Sequence, residues 1–477
     1  MEVVVDTRPL WIVLLSRSTR ILRLLLGVTA YFVISRMDTP EGLTPQGQQT
    51  LAVFALCVTF WALNVLPLMI TSLLAIALLP LTGVLESEEA YALFGNSALF
   101  FILGAFILAA CLMKSGLSTR MSLLVLRRFG HSPRALLAAV FFLNACLSLW
   151  MSEHAVAAMN FPIVAEIAAA LALRRGRSNY GKALFVAMAW GSTIGGVGTL
   201  LGGGRAPLAL GVLEQVTGEP SFTFLSWSLH ALPVVLVLLA VGYWLLQRWF
   251  PIDIDDVAAA EDVLAERVFE LGRARFEEKA VGAIMLLTVA AWVCLGHRLG
   301  LANVAIIAVV ALFALRLVAW RDVEESVNWG IVLMYGGAIC LGKALDVSGA
   351  AGWIAERTVG VWASSPAGVC ASLSLSSWLL TEAMSNSAVV ALMMPIGLGL
   401  AREVGMSLAA IAPAVAVPAG LAFAFPIGTP ANAIAYSSGY LRLRDLIVPG
   451  LLMGALGWCA FNLAVRFYWP LLGVYAG

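Results

Sequence analysis

The chain has 477 residues, 61% of them hydrophobic and 12% charged, with a formal net charge of +1. A mean hydropathy of +0.93 is more apolar than one soluble core can hide, so lipid must cover much of the surface. The near-zero charge gives no footing for a nucleic-acid partner, and the seven cysteines stand singly in apolar segments, without the paired spacing of a zinc or redox site.

Apolar runs of about 20 residues, enough to cross about 30 Å of hydrocarbon as a helix, recur along the chain. The N-terminal stretch MEVVVDTRPLWIVLLSRSTRILRLLLGV has arginines before an apolar run and no small-residue cleavage pattern, so it reads as an uncleaved first span. Spans are predicted near 20–35, 47–64, 66–83, 97–114, 182–200, 223–249, 280–296, 301–320, 328–345, 407–427 and 446–470. Two further apolar regions, 134–173 and 365–401, read as paired short helical arms meeting at polar tips, Ser152-Glu153-His154 and Ser385-Asn386-Ser387. The expected fold is thus an all-α polytopic membrane protein with about eleven transmembrane helices and two re-entrant hairpins.

The positive-inside rule tests this threading. Arg8, Arg17, Arg20 and Arg23 precede the first span, and Arg120, Arg127, Arg128, Arg134, Arg174, Arg175, Arg177 and Lys182 flank the first hairpin. Arg321, Arg442 and Arg444 fall on the same side, whereas the opposite loops LESEEAY and LEQVTGEP hold no Lys or Arg. This places the N-terminus in the cytoplasm, with the first hairpin entering from inside and the second from outside. Two full crossings in place of each hairpin keep the same charge pattern. The polar stretch 251–279 reads as a cytoplasmic loop or interfacial helix between two halves.

The halves match internally. A constant shift of 233 residues lays Gly104 on Gly337, Ser115-Gly116 on Ser348-Gly349, Ser148 on Thr381, Ser152 on Ser385 and Pro162-Ile163 on Pro395-Ile396. With hairpins starting on opposite faces the repeat is inverted, an arrangement that builds a site at the membrane midplane. Each hairpin is followed by a broken span, IGGVGTLLGGGRAPLALG and LAFAFPIGTPANAIAYSSG, whose Gly and Pro residues free backbone groups for ligands. Unwound carbonyls suit a hard cation, and helix N-termini suit an anion.

The motifs TEAMSNSAVVALMMPI and AFPIGTPANAIAYSSGYLRLRDLI resemble those of the divalent anion/sodium symporter family, with its Ser-Asn-Thr tips and Thr-Pro breaks. PEGLTPQGQQTLAVFALCVTFWALNVLPLMITSLLAIALLPLTGVL is similar to the early spans of that family. The resemblance implies an elevator-type transporter of the inner or plasma membrane, a homodimer that moves a small anion by sodium-coupled symport. Di- and tricarboxylates are the expected substrates, lipid the expected surroundings, and sodium the coupling ion, with no other cofactor. It also implies a division into N-terminal scaffold helices 1–132, a first transport-domain segment 133–250, a cytoplasmic linker 251–279, scaffold helices 280–360 of the second repeat, and a second transport-domain segment 361–477.

Carried onto this chain, Thr381, Ser385, Asn386, Ser387, Gly428, Thr429 and Pro430 match the second tip and break, where sodium and one carboxylate bind. Ser148 joins Thr381, Ser385, Asn386, Gly428 and Thr429 as the candidate cation ligands; Ser152, Glu153, His154 and Arg205 join Ser385, Asn386, Ser387, Thr429 and Pro430 as candidate substrate contacts. The first half departs from the family pattern, with Glu153-His154 in its tip and Gly202-Gly203-Gly204-Arg205-Ala206-Pro207 at its break. A lone ionised side chain at membrane depth costs roughly 2.5–3.5 kcal/mol, so Glu153 and Arg205 are expected to face each other. A built-in cation makes anion exchange without sodium an alternative to symport, and a proton on Glu153 or His154 a third coupling. The same pair could also serve only as a latch on the hairpin. Ser152-Glu153-His154 holds the residue types of a hydrolase, but neighbours in sequence do not align as a triad, and no G-x-S-x-G or H-E-x-x-H surrounds them; the chain is not read as an enzyme.

Overall fold

The computed structural model describes residues 10–218, 222–325, 327–362 and 365–473. Arg8 and the last two residues of LEQVTGEP lie outside them. Every regular element among the described residues is helical. Helix α1 (Leu10–Arg36) precedes the first repeat, which opens with α2 (Pro45–Ala62), α3 (Leu68–Leu81) and α4 (Ser87–Ala92). It continues with α5 (Ser97–Lys114), α6 (Leu117–Phe129), α7 (Pro133–Ser148), α8 (Glu153–Ala170), α9 (Asn179–Val197), α10 (Arg205–Thr217) and α11 (Phe224–Trp249). After the linker helix α12 (Ala258–Glu270) the second repeat opens with α13 (Phe276–Leu299), α14 (Leu301–Ala314) and α15 (Trp320–Glu324). It continues with α16 (Trp329–Val347), α17 (Ala350–Trp362), α18 (Pro366–Thr381), α19 (Asn386–Glu403), α20 (Ile411–Ala416), α21 (Pro430–Ser437) and α22 (Leu443–Leu463).

The internal repeat is a structural one. Helices α6, α7 and α8 have the same bounds as α17, α18 and α19 once displaced by the sequence shift. Local chemistry explains the agreement. Gly116 and Gly349 both take positive φ, 84° and 75°, at the turn that starts α6 and α17. Ser132 and Ser365 both cap the next helix, each followed by a proline at the first position, where its missing N–H costs nothing.

Five helical stretches among the described residues are long and apolar enough to cross a membrane: α5, α11, α13, α16 and Leu443–Leu472. Several expected spans are shorter helices. Helix α14 stops at Ala314, and Arg316 takes a left-handed φ of 53° just beyond it. The expected span 407–427 is not one helix: α20 has six residues, a 3-10 turn follows at Pro418–Gly420, and the stretch 421–429 is largely irregular. Pro413 and Pro418 account for this, since neither can donate to a helical ladder.

Helix α9, buried along nearly its whole length, is the central pillar and packs on α7, α8, α11 and α21. Gly191 and Gly195 lie against the backbone of α7 at Phe141 and Ala145, where any Cβ would collide. The linker is helical and lies across α6 and α8. Arg120 of α6 pairs with Glu278 of α13 and donates to the carbonyls of Leu271 and Gly272 at 3.1 and 2.9 Å, fastening the end of α12. Arg267 of α12 grips Glu166 of α8 at 2.8 Å.

Candidate functional site

The two helical pairs α7–α8 and α18–α19 turn at residues 149–152 and 382–385. Glu153 and Asn386 are therefore each the first residue of a helix, beside N–H groups with no partner in their own helix. The second turn is closed by its own serine, Ser385 Oγ accepting from Ala388 N at 3.3 Å. In the first, Ser152 makes no such cap, and its hydroxyl lies 3.3 Å from His154 Nε2.

The tips meet. Asn386 Nδ2 donates to Glu153 Oε1 at 3.2 Å, and these residues are 233 apart, the repeat shift itself. Residues equivalent in two copies touch only where the axis relating the copies passes between them. On its other oxygen Glu153 accepts from Arg205 Nη1 at 3.1 Å. Its backbone N–H donates to the carbonyl of Gly202 at 2.9 Å. Beyond Asn386, Thr381 Oγ1 lies 2.9 Å from Asn386 Oδ1 and 2.7 Å from the carbonyl of Ala419. An unbroken line of polar contacts thus runs from the first break through both tips to the second break.

Glu153 and Arg205 are 3% and 2% exposed, so their charges are met by each other rather than by water. Room for the guanidinium comes from absent side chains: it lies beside Gly203 and against Gly420 of the second half, where a Cβ would overlap it. Arg205 Nη2 is buried without a hydrogen-bond partner. The acid of the Ser-Glu-His run thus points to Arg205 and Asn386, and the run forms no Ser–His–acid relay.

A cavity of about 570 Å³ opens beside these groups. Glu153, His154 and Arg205 line it from the first half, and Ser385, Asn386, Ser387, Gly428 and Pro430 from the second. The facing wall, from α3 and α16, is apolar at Leu68, Met69, Ile331 and Met334, with Asn328 as its polar member. Three expected contacts stand elsewhere. Ser152 lines an adjoining chamber of about 250 Å³ against α5, which shares His154 and Asn328 with the first. Thr429 is 1% exposed and caps α21, accepting from Asn432 N at 3.3 Å. Ser148 is fully buried, its hydroxyl without a partner.

Two residues that the sequence did not single out organise the second break. Glu382, 6% exposed, accepts backbone N–H bonds from Phe423, Ala424 and Phe425 at 3.0–3.3 Å. Asn432 Nδ2 donates to the carbonyls of Ala422 and Phe425 at 3.2 and 3.3 Å. Irregular backbone buried away from water must find partners inside the protein, and these two side chains supply some of them. The signal was the position of Glu382, an acid next to the polar tip in an otherwise apolar stretch.

A profile of the family described as "Sodium:sulfate symporter transmembrane region" matches residues 18–475. The chain is 29% identical to the sodium-dependent dicarboxylate transporter SdcS of Staphylococcus saprophyticus, over 94% of this chain and 92% of that one. It is 28% identical to SdcS of Staphylococcus aureus, over 95% and 92%. Among solved structures, MtrF of Neisseria gonorrhoeae, from a class of antimetabolite efflux pumps, is similar in fold with a TM-score of 0.55 at 14% identity, covering 94% of this chain and 93% of its own. The YdaH transporter of Alcanivorax borkumensis also has a TM-score of 0.55, at 16% identity and over 79% and 87%.

Proposed function

Because this chain belongs to the sodium:sulfate symporter family, the divalent anion/sodium symporters, we propose that it carries a small di- or tricarboxylate across the membrane together with sodium. The staphylococcal relatives bear the name of sodium-dependent dicarboxylate transporters over nearly their whole length, which supports this substrate class. The observation that carries the reading is the contact of Asn386 with Glu153 at the edge of the cavity, because it joins polar groups from both repeats around one space.

In this reading the α7–α8 and α18–α19 pairs are the re-entrant hairpins of a mobile transport domain, with α10 and α21 starting at its breaks. The apolar wall of α3 and α16 belongs to the scaffold, along which the domain slides as an elevator. Substrate carboxylates rest on Ser385, Ser387 and the helix N-termini at the tips, with Arg205 Nη2 as a buried donor still lacking an acceptor. Sodium sits among oxygens of Thr381, Asn386 and the second break. The protein works as a homodimer in the inner membrane, N-terminus inside.

Sodium-independent exchange is the second reading, favoured by one observation: a guanidinium already fills the first half. The geometry weakens its physical basis, since Glu153 matches that charge and the empty site carries no stranded cation to resist the return step. Reconstitution in liposomes separates the two. Labelled succinate, citrate and sulfate are offered to empty vesicles with and without a sodium gradient, and to vesicles preloaded with anion. Sodium-driven uptake into empty vesicles is the expected result; uptake that needs internal anion and ignores sodium would replace symport by exchange.

A further inference from the structure

The chamber beside the main cavity differs from it in chemistry. His154 and Asn328 line both spaces and so stand at the mouth between them. Beyond the mouth, the α5 wall is Phe106, Ala109 and Met113, and the α8 wall is Ala155, Ala158 and Met159. Within each set the residues fall three and four apart, so each is one face of its helix. The remaining polar member is Ser152, whose hydroxyl is already met by His154 Nε2 at 3.3 Å. Among the described residues no charged side chain lines this space, so it offers nothing to a carboxylate or a cation.

In the second repeat the matching groove is filled. The shift of 233 carries Ala155 and Ala158 to Ala388 and Ala391, which are 0% and 1% exposed. It carries Ala109 to Gly342, where a Cβ would lie 3.2 Å from the Val212 side chain of α10. In the first half the groove between α5 and α8 stays open beside the tip, and it is continuous with the cavity. An apolar space of about 150 Å³ is enough to bind benzene. At about 250 Å³ the chamber therefore has room for a branch of about six carbons.

Resting on the carboxylate-carrying reading above, we propose that this chamber is a specificity pocket, and that the preferred ligands are dicarboxylates bearing one apolar branch of up to about six carbons. The carboxylates stay at the tips while the branch passes between His154 and Asn328 and exchanges water for Phe106, Met113 and Met159. Ala109, Ala155 and Ala158 set how long that branch can be, because larger side chains there would take up the same space. Succinate, with no branch, leaves the chamber to water.

The test is binding to purified protein in the presence of sodium, by calorimetry, since in that reading α5 and α8 stand on opposite sides of the sliding boundary. The probes are succinate, methylsuccinate, propylsuccinate and benzylsuccinate. Affinity is expected to rise with the branch, by up to about fourfold per buried carbon, so that benzylsuccinate binds at least about tenfold more tightly than succinate. Ala158→Phe fills the chamber from α8 and is expected to weaken benzylsuccinate about tenfold or more, with succinate within about twofold of the original. Ala109→Leu narrows it from α5 and should shift the two ligands in the same unequal way. Affinity that falls as the branch grows, variants that weaken both ligands alike, or tight benzylsuccinate binding that both variants leave untouched would overturn the proposal. Should neither variant fold, the branch series on the unaltered protein decides alone. A protein that binds none of the four probes removes the carboxylate reading, and this pocket with it.

Discussion

Replacing Arg205 with methionine keeps most of the side-chain volume and removes the charge that faces Glu153. Both side chains are nearly sealed, 2% and 4% exposed, so the orphaned carboxylate cannot turn to water. It would keep one donor, Asn386 Nδ2 at 3.2 Å. Removing one partner of a buried pair costs about 3–5 kcal/mol, whereas replacing both partners by uncharged groups of similar shape is often close to neutral. Arg205→Met and Glu153→Gln should therefore each lower the thermal stability of purified protein steeply, and the double variant should recover at least about 2 kcal/mol of the summed loss. Unfolding of the four proteins in detergent, read with sodium-driven succinate uptake, completes the cycle. Single losses that simply add would refute the claim that these two charges stabilise each other. Exchanging the charges, Glu153→Arg with Arg205→Glu, should likewise lose less than the sum of the two single reversals.

Asn386→Asp sets a second carboxylate about 3.2 Å from Glu153, a repulsion of about 5 kcal/mol at an effective dielectric of 20. Uptake should vanish and return when Glu153→Gln is added, as labelled succinate in vesicles would record. Gly420→Ala drives a methyl group into the Arg205 guanidinium; overpacking of this kind costs about 1–3 kcal/mol, and a fall in both melting temperature and uptake is expected. Ser152→Ala removes a hydroxyl that faces His154 and the side chamber, so uptake should stay within about twofold of the original, a change of under 0.5 kcal/mol. Loss of transport there would show that the serine faces the anion after all.

Much of this architecture was legible because the repeat is written in residues that act locally. Gly116 with Gly349 and Ser132 with Ser365 each direct a turn or a cap, so a constant spacing in sequence became a constant spacing of helices. The facing of Glu153 and Arg205 was legible for another reason: two opposite charges in an apolar chain have few other places to go. Counting apolar residues failed at 407–427, where length and hydropathy suit a crossing while Pro413, Pro418 and Pro426 forbid one continuous helix. Glu382 escaped because its partners are backbone amides about 40 residues away, and amides carry no residue-specific mark. The placements of Ser152 and Thr429 away from the cavity depend on a rotamer and a cap, neither of which spacing determines.

That Glu153 lies against its own counterpart has a historical corollary. In an ancestor assembled from two identical segments, whatever residue stood at this spot would have confronted a duplicate of itself. An asparagine tolerates that meeting, since one amide can give a hydrogen bond while the other receives it, but two carboxylates would push apart. Two acids facing here would have to share a proton, so the ionised acid belongs to one copy alone, beside the arginine that answers it.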